Sequence, residues 1–362
     1  MDEHNFSGAL SFEDIEKLLK SLDETETPTL EASESSIGNS EVQNLSTKNS
    51  STIDYENLNA FELLNFNITE TPKLVEPFFQ KVGLASLVGT SDAGKSMFLR
   101  HLSLCIVLGL DNFIGFKLNT TSKNVLYLST EDDHNSVSFT LRSQILKIIE
   151  TNKNLDLQLL NNLEFAFNSD DFLAVLINKL KTKKYDLVVI DAFADIYTRE
   201  INANTQVRQF LNLFDKLSKK YNTLIVFLHH TGKRTNYSSP NKDNIIGSQA
   251  FEAKMRAVIE LRPSFKADDI KELWILKANF LANSFKKNSY KLNLTKDLVF
   301  ENTGLRGSKL DNDKKNNPEI IEKVTELHKS GKSLRAIETE LKNTEFEIGK
   351  SSIAIIVKNL KK

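Results

Sequence analysis

The chain has 362 residues, 40% of them hydrophobic, with 47 basic against 48 acidic side chains and a single cysteine, Cys105. One cysteine excludes a disulfide framework and a cysteine-built zinc site and fits a reducing compartment, so a cytoplasmic location is expected. The most apolar stretch, residues 97–110, is too short to cross a bilayer and is broken by Arg100 and His101, and the acidic N-terminus predicts no secretory signal and no membrane partner.

Residues 1–56 carry 13 acidic and 3 basic side chains and few large apolar ones. Such a segment buries too little surface to offset the entropy of ordering, so most of it is expected to be disordered. Within it Phe12, Ile15, Leu18, Leu19 and Leu22 recur at helical spacing, and Ser11 and Asp14 form a capping pair. The pattern fits either a fraying helix without a role or a short helix that folds on contact with a protein partner.

From residue 57 the composition changes to apolar runs alternating with amphipathic stretches. The patterns predict strands at 84–88, 124–128, 187–190 and 223–227, and helices at 96–108, 137–150, 172–181 and 207–219. The strand runs are β-branched and almost wholly apolar, as expected of strands covered by helices on both faces. Strand–helix alternation of this kind predicts an α/β fold with an open, mainly parallel central sheet. Runs at 256–261, 273–278 and 289–294 lack long helices between them and read as a terminal antiparallel meander.

The first strand leads into Gly89, Thr90, Ser91, Asp92, Ala93, Gly94, Lys95 and Ser96, which fit G-x-x-x-x-G-K-[ST] with a helix after it. Glycines let successive backbone N–H groups turn toward a phosphate oxygen, and the helix N-terminus adds positive potential. Lys95 can reach the β- and γ-phosphates of ATP, and the Ser96 hydroxyl can ligate Mg²⁺. Asp92 brings a negative charge into this loop, which is tolerable only if its side chain points away from the nucleotide. After the second strand come Glu131, Asp132 and Asp133; Glu131 suits activation of the water that attacks the γ-phosphate, and the bland alternative is an acidic helix start. Asp191 closes the third strand, where a carboxylate at the carboxyl end of a neighbouring parallel strand faces the phosphate crevice and can hold Mg²⁺. His229 and His230 close the fourth strand. Adjacent histidines there suit phosphate sensing, relayed into a polar loop at 231–244 that carries Lys233, Arg234 and Lys242; the alternative is structural hydrogen bonding.

Residues 306–317 are polar and charged and read as a linker. Pro318 then opens three helical patterns at 319–329, 333–341 and 350–360. Residues 306–362 carry 13 basic and 9 acidic side chains. The second and third patterns look like a helix-turn-helix pair able to bind duplex DNA, with Lys350 and Lys358 on phosphates. Against this, the connection at 342–349 is long and contains Glu345 and Glu347, and a small oligomerisation or protein-docking domain is the alternative.

Taken together, residues 88–97, 125–132, 226–233 and 246–256, with the run at 273–280, resemble the RepA-type plasmid replicative helicases and related RecA-like ATPases. The likeness spans roughly residues 60–300, with the motifs in the family's order, and the first of them runs on to Met97 as part of the nucleotide-binding segment. The resemblance implies a RecA-like P-loop core at 57–305, and a homo-oligomeric ring, typically a hexamer, with ATP and Mg²⁺ at subunit interfaces and single-stranded DNA in the channel. It puts Arg256 at the arginine-finger position, completing the site of the next subunit, and Lys277 on a strand lining the same interface. The expected function is an ATP-hydrolysing motor on DNA. An ATP-gated DNA-binding regulator and an ATP-binding protein-interaction scaffold are the alternatives.

Overall fold

The computed structural model describes residues 57–167, 171–232, 239–247, 249–264, 267, 269–309, 314–344 and 346–360. The expectations for residues 1–56, including the helix at 11–22, and for Lys233, Arg234 and Glu345 lie outside the described residues.

In chain order, helix α1 (Ala60–Asn65) leads to two short paired strands, β1 (Lys73–Val75) and β2 (Phe79–Gln80). Strand β3 (Gly83–Gly89) and helix α2 (Lys95–Val107) follow, then a small hairpin of β4 (Asn112–Phe113) and β5 (Phe116–Lys117). Next come β6 (Val125–Ser129) with α3 (His134–Thr151), and β7 (Leu163–Phe167) with α4 (Phe172–Thr182). Strand β8 (Leu187–Asp191) continues into α5 (Phe193–Ile196) and α6 (Asn204–Tyr221). Strand β9 (Leu224–His230) connects through α7 (Gln249–Lys254) to β10 (Ala257–Pro263), β11 (Ile270–Ala278), β12 (Asn288–Leu294) and β13 (Phe300–Ser308). Helices α8 (Pro318–Lys329), α9 (Leu334–Leu341) and α10 (Lys350–Asn359) close the described chain.

Nine strands form one sheet in the order β13-β12-β11-β10-β3-β9-β8-β6-β7. The six strands from β10 to β7 are parallel to one another, and β11, β12 and β13 extend the sheet antiparallel from β10. This is the mainly parallel RecA-like core with a terminal antiparallel meander. In one respect the order differs from the sequence expectation: β8 is not the neighbour of β3, because β9 pairs with both and lies between them.

The pleat sorts the apolar residues onto two faces, since successive side chains of a strand point oppositely. Ala85 and Leu87 of β3, Tyr127 of β6 and Val189 of β8 pack with α2 on one face. Leu84 and Val88 of β3, Leu126 and Leu128 of β6 and Ile190 of β8 pack with α4, α6 and α7 on the other. Helix α2 is enclosed all round, with every residue from Phe98 to Val107 buried. Its outer side is covered by Phe113 and Phe300, both edge-to-face with Phe98 at ring separations of 5.0 and 5.2 Å. The Gln144 amide of α3 donates to Met97 O (2.9 Å) and Leu298 O (2.7 Å), tying helix and meander together.

Two strands have no counterpart in the sequence reading. β7 is a half-buried edge strand whose short run follows a polar turn without a break in composition. β13 is polar because one side of an outer antiparallel strand meets water. It runs to Ser308, so residues 306–308, assigned to the linker from sequence, are paired strand. Arg306 accounts for part of this: its guanidinium lies 3.8 Å from the Tyr290 ring centroid and donates to Ser289 O and Asn288 O, both at 2.8 Å.

Helices α8, α9 and α10 share a core of their own, built by Ile320, Val324, Leu327, Ile337, Ile353 and Ile356. Asn317 caps α8 by accepting from Glu319 N and Ile320 N, and Ser333 caps α9 by accepting from Ala336 N.

The ring of Phe193, directly after Asp191 and Ala192, contacts Tyr197, Phe210, Phe227, His229 and Phe251. Phe193→Ala therefore opens a cavity at the centre of one core face, and we expect it to lower the unfolding free energy by about 3–5 kcal/mol in urea titrations of the full chain.

Candidate active site

Everything the sequence marks for chemistry emerges at the carboxyl ends of parallel strands, Arg256 and Lys277 excepted. The phosphate loop leaves β3 at Gly89, Glu131 follows β6, Asp191 ends β8, and His229 and His230 end β9. A Cβ on Gly89 would lie 2.4 Å from Leu261 O of β10, so only glycine lets the strand end this close to its neighbour. Gly94 caps α2 in the left-handed region (φ 90°) with no side-chain cap, leaving the first N–H groups of the helix for an anion. Ala93 is buried, whereas Ser91 and Asp92 are exposed, with Asp92 at φ 61°. Asp92 is thus at the surface rim of the loop, as its charge requires.

The Lys95 ammonium is buried and donates to Thr90 O (2.8 Å), closing the loop on itself. Burial lowers its pKa, and the carboxylates of Glu131, Asp191 and Asp92 oppose that effect. Asp191 is almost wholly buried, which raises its pKa; hydrogen bonds from the Tyr127 phenol (Oδ2, 2.6 Å) and the Ser96 hydroxyl pull it back. Its Oδ1 is buried with no hydrogen-bond partner among the described residues. A hydroxyl beside an orphaned carboxylate oxygen is a hard-oxygen pair of the kind Mg²⁺ takes, so the residues fit that ion.

Glu131 is half exposed and receives His230 Nε2 at 3.3 Å. That hydrogen bond, more than any other influence, lowers its pKa against the opposing effect of burial, keeping it ionised and able to accept a proton. The two histidines separate. His230 faces Glu131, but His229 turns to the opposite face, as adjacent strand residues must. There it is buried between Phe193 and Phe251, with Nε2 on Ile246 O at 2.9 Å. Burial pushes its pKa down to about 4. The expectation that both histidines meet phosphate is corrected to this extent: His229 is a neutral ring holding the segment after β9, and only His230 is at the crevice.

Arg256 is far from its own phosphate loop. Its stem packs against Gly83, at the amino end of β3, with Cγ 3.0 Å from where a glycine Cβ would be, and its N–H donates to Leu84 O (2.7 Å). The length of β3, about 20 Å, separates it from Gly89. Lys277 is engaged within the chain: its ammonium pairs with Glu252 (3.0 Å) and donates to Glu252 O (2.9 Å) at the end of α7. Neither residue reaches the site of its own subunit.

Three residues that the sequence reading passed over complete the crevice. Arg100, fully buried on α2, pairs with Asp132, donates to Thr140 Oγ1 (3.0 Å) and lies 5.7 Å from the Tyr127 ring centroid. It clamps the residue next to Glu131. Thr130 bonds β6 to β8, its hydroxyl donating to Asp191 O (2.9 Å) and accepting from Ala192 N (2.9 Å). Tyr127 links Asp191 to α2. A lone arginine inside an apolar helix was the signal available for Arg100; nothing in a β-rich apolar run marks Tyr127.

A family model for AAA domains (AAA_25) matches residues 51–236, more than half of the chain. The chain belongs to that family. The match takes in β1 through β9, so the phosphate loop, Glu131, Asp191 and both histidines lie within the AAA-type ATPase core, while Arg256 and Lys277 lie beyond it. No curated protein sequence matches the chain. Among solved structures, it is similar to one determined as an isolated ATPase domain, with 13% identity over 67% of this chain and 95% of that one and a TM-score of 0.49, too distant a likeness to bear on function.

The electrostatics of this AAA core make two effects measurable. Tyr127→Phe removes a hydrogen bond that holds Asp191 ionised, so its pKa rises further; the acid limb of the ATPase rate against pH is expected to move up by about one unit, with unchanged melting temperature at pH 8. The second effect concerns His101 and His229. Burial pushes both to about 4, below the 6.5 of a free imidazole, so the unfolded chain takes up protons first. Stability is then full above pH 6.5 and falls as the pH drops toward 4, by up to about 2 kcal/mol per histidine at pH 5. Urea unfolding at pH 7 and pH 5 measures it, and a His101→Gln, His229→Gln chain should show a flatter profile.

Proposed function

We propose that this AAA-family chain is an ATP-hydrolysing, RecA-like motor acting on DNA, in the manner of the RepA-type replicative helicases its motifs resemble. The observation that carries the reading is the convergence of Lys95, Ser96, Asp191, Glu131 and His230 in one crevice, with the basic residue needed for phosphoryl transfer at the far end of β3. The loop amides of residues 89–97 and Lys95 bind the β- and γ-phosphates of ATP. Ser96 and Asp191 hold Mg²⁺, which when bound neutralises charge on the phosphate oxygens. Glu131 orients the attacking water and takes its proton, and His230, in contact with Glu131, senses the γ-phosphate and carries its state to the segment after β9. Arg256 acts in trans on the next subunit's phosphates. Lys277, by bracing the end of α7 just before Arg256, positions that arginine.

On this reading the active form is a homo-oligomeric ring, a hexamer by resemblance, with single-stranded DNA in its channel. Residues 318–362 supply a second contact to duplex DNA: Ser351 and Lys358 are exposed along one side of α10 while Ile353, Ile356 and Val357 face the module's core, which supports a polar surface toward phosphates. The acidic segment 1–56 is the docking site for a protein partner.

ATPase rates with and without single-stranded DNA test this. The motor reading expects DNA stimulation, loss of turnover in Lys95→Ala and Glu131→Gln, and a fall of about three orders of magnitude in Arg256→Ala. Mixing Arg256→Ala with Lys95→Ala chains should restore part of the activity, since each supplies what the other lacks. Turnover indifferent to DNA, with no restoration on mixing, overturns the motor in favour of an ATP-gated regulator.

A further inference from the structure

Helix α1 has no buried residue. Phe61, Leu64 and Ile68 are 74%, 75% and 66% exposed, so the stretch before β1 offers an apolar surface to water. The helix is nonetheless well formed at its start: Asn59 accepts from Glu62 N (3.0 Å) and the Glu62 carboxylate accepts from Asn59 N (2.8 Å). Six residues are too few to hold a helix without packing, so a capped but unpacked α1 is a segment with its partner missing.

At the other end of the molecule from the meander, the sheet finishes in β7, which pairs only with β6. Behind it lies a cavity of about 210 Å³ lined by Leu104, Leu141, Ile145, Leu163 and Phe165, with Arg142 at its wall. Phe139 and Leu146 of α3, near its mouth, are 67% and 56% exposed. The size decides what it takes. Drug-sized ligands and nucleotides need about 300–1,000 Å³, whereas an apolar cavity of about 150 Å³ accepts a benzene ring. This cavity therefore suits one large side chain. Arg142 has no ion-pair partner among the described residues, and residues 57–70 carry two acids, Glu62 and Glu70, and no base. Charge and size both match the arm.

We propose that residues 60–68 of one copy dock on the α3–β7 face of a second copy, with Phe61 or Leu64 seated in the cavity and Glu62 toward Arg142. Arm and cavity are different surfaces of the same chain, both open, so the contact is head-to-tail: every copy gives an arm and receives one. It supplies the assembly that an in-trans Arg256 requires, yet it stands or falls on mass alone, without reference to ATP turnover.

Sedimentation of the full chain tests it. Wild type should assemble beyond dimers, with Phe61→Asp, Leu64→Asp (arm) and Phe139→Asp, Leu146→Asp (face) chains each monomeric; all four positions are exposed, so these chains should keep the wild-type circular dichroism. An equimolar mixture of arm and face chains should stop at dimers, because one good arm meets one good face and neither product can extend. Leu64→Cys, Phe139→Cys chains should form a ladder of disulfide-linked multimers on oxidation. Assembly undiminished in the arm variant, or a disulfide closed within single chains, overturns the proposal; the latter would mean that the arm folds back on its own subunit.

Discussion

A carboxylate taken out of water has to be held by something, and Asp191 is almost wholly out of water. Full desolvation of an ion costs several kcal/mol even after relaxation, and here Tyr127, Ser96 and the nearby charges of Lys95 and Arg100 meet it. Three of those four groups ride on α2. That is why this helix is enclosed on every side: it has to bring polar groups to a buried acid while presenting its remaining surface to both sheet and meander. Arg100 extends the same logic one step outward, since its ion pair with Asp132 fixes the segment that carries Glu131.

The strand order explains the room in the crevice. With β9 between β3 and β8, the phosphate loop and Asp191 stand two strand spacings apart, about 10 Å. Ser96, at the start of α2, bridges that gap from above, and the end of β9 fills it from below. Only one of the two histidines faces the gap because the pleat allows only one. The other has a structural part: its ring, neutral between two phenylalanines, holds Ile246 and so the start of the segment leading to α7 and Arg256.

Much of this was legible in the sequence because the parallel strands are apolar on both faces. Residues 84–88, 124–128, 187–190 and 223–227 announce themselves by composition alone, and the phosphate loop by its glycines. β13 did not, since an outer strand with a wet face needs no apolar alternation and is held by backbone pairing and by Arg306 over Tyr290. The catalytic edge was readable residue by residue where polar groups end apolar runs, as at Glu131 and Asp191. The opposite orientations of His229 and His230 also follow from strand geometry, but which one faces the crevice depends on the register of β9 against β3. The position of Arg256 at the amino end of β3, and the engagement of Lys277 with Glu252, were beyond reach for another reason: both depend on where α7 returns the chain to the sheet, a tertiary fact that no local pattern encodes.

That return has a consequence for how such copies count. A subunit that carries its crevice at one end of β3 and its guanidinium at the other owns two halves that never meet. In the proposed arrangement an open row of any length keeps one unfinished crevice at its end, and closing the row into a circle finishes it. The penalty for staying open is greatest for the shortest rows, so the fold itself rewards closure without any special closing contact.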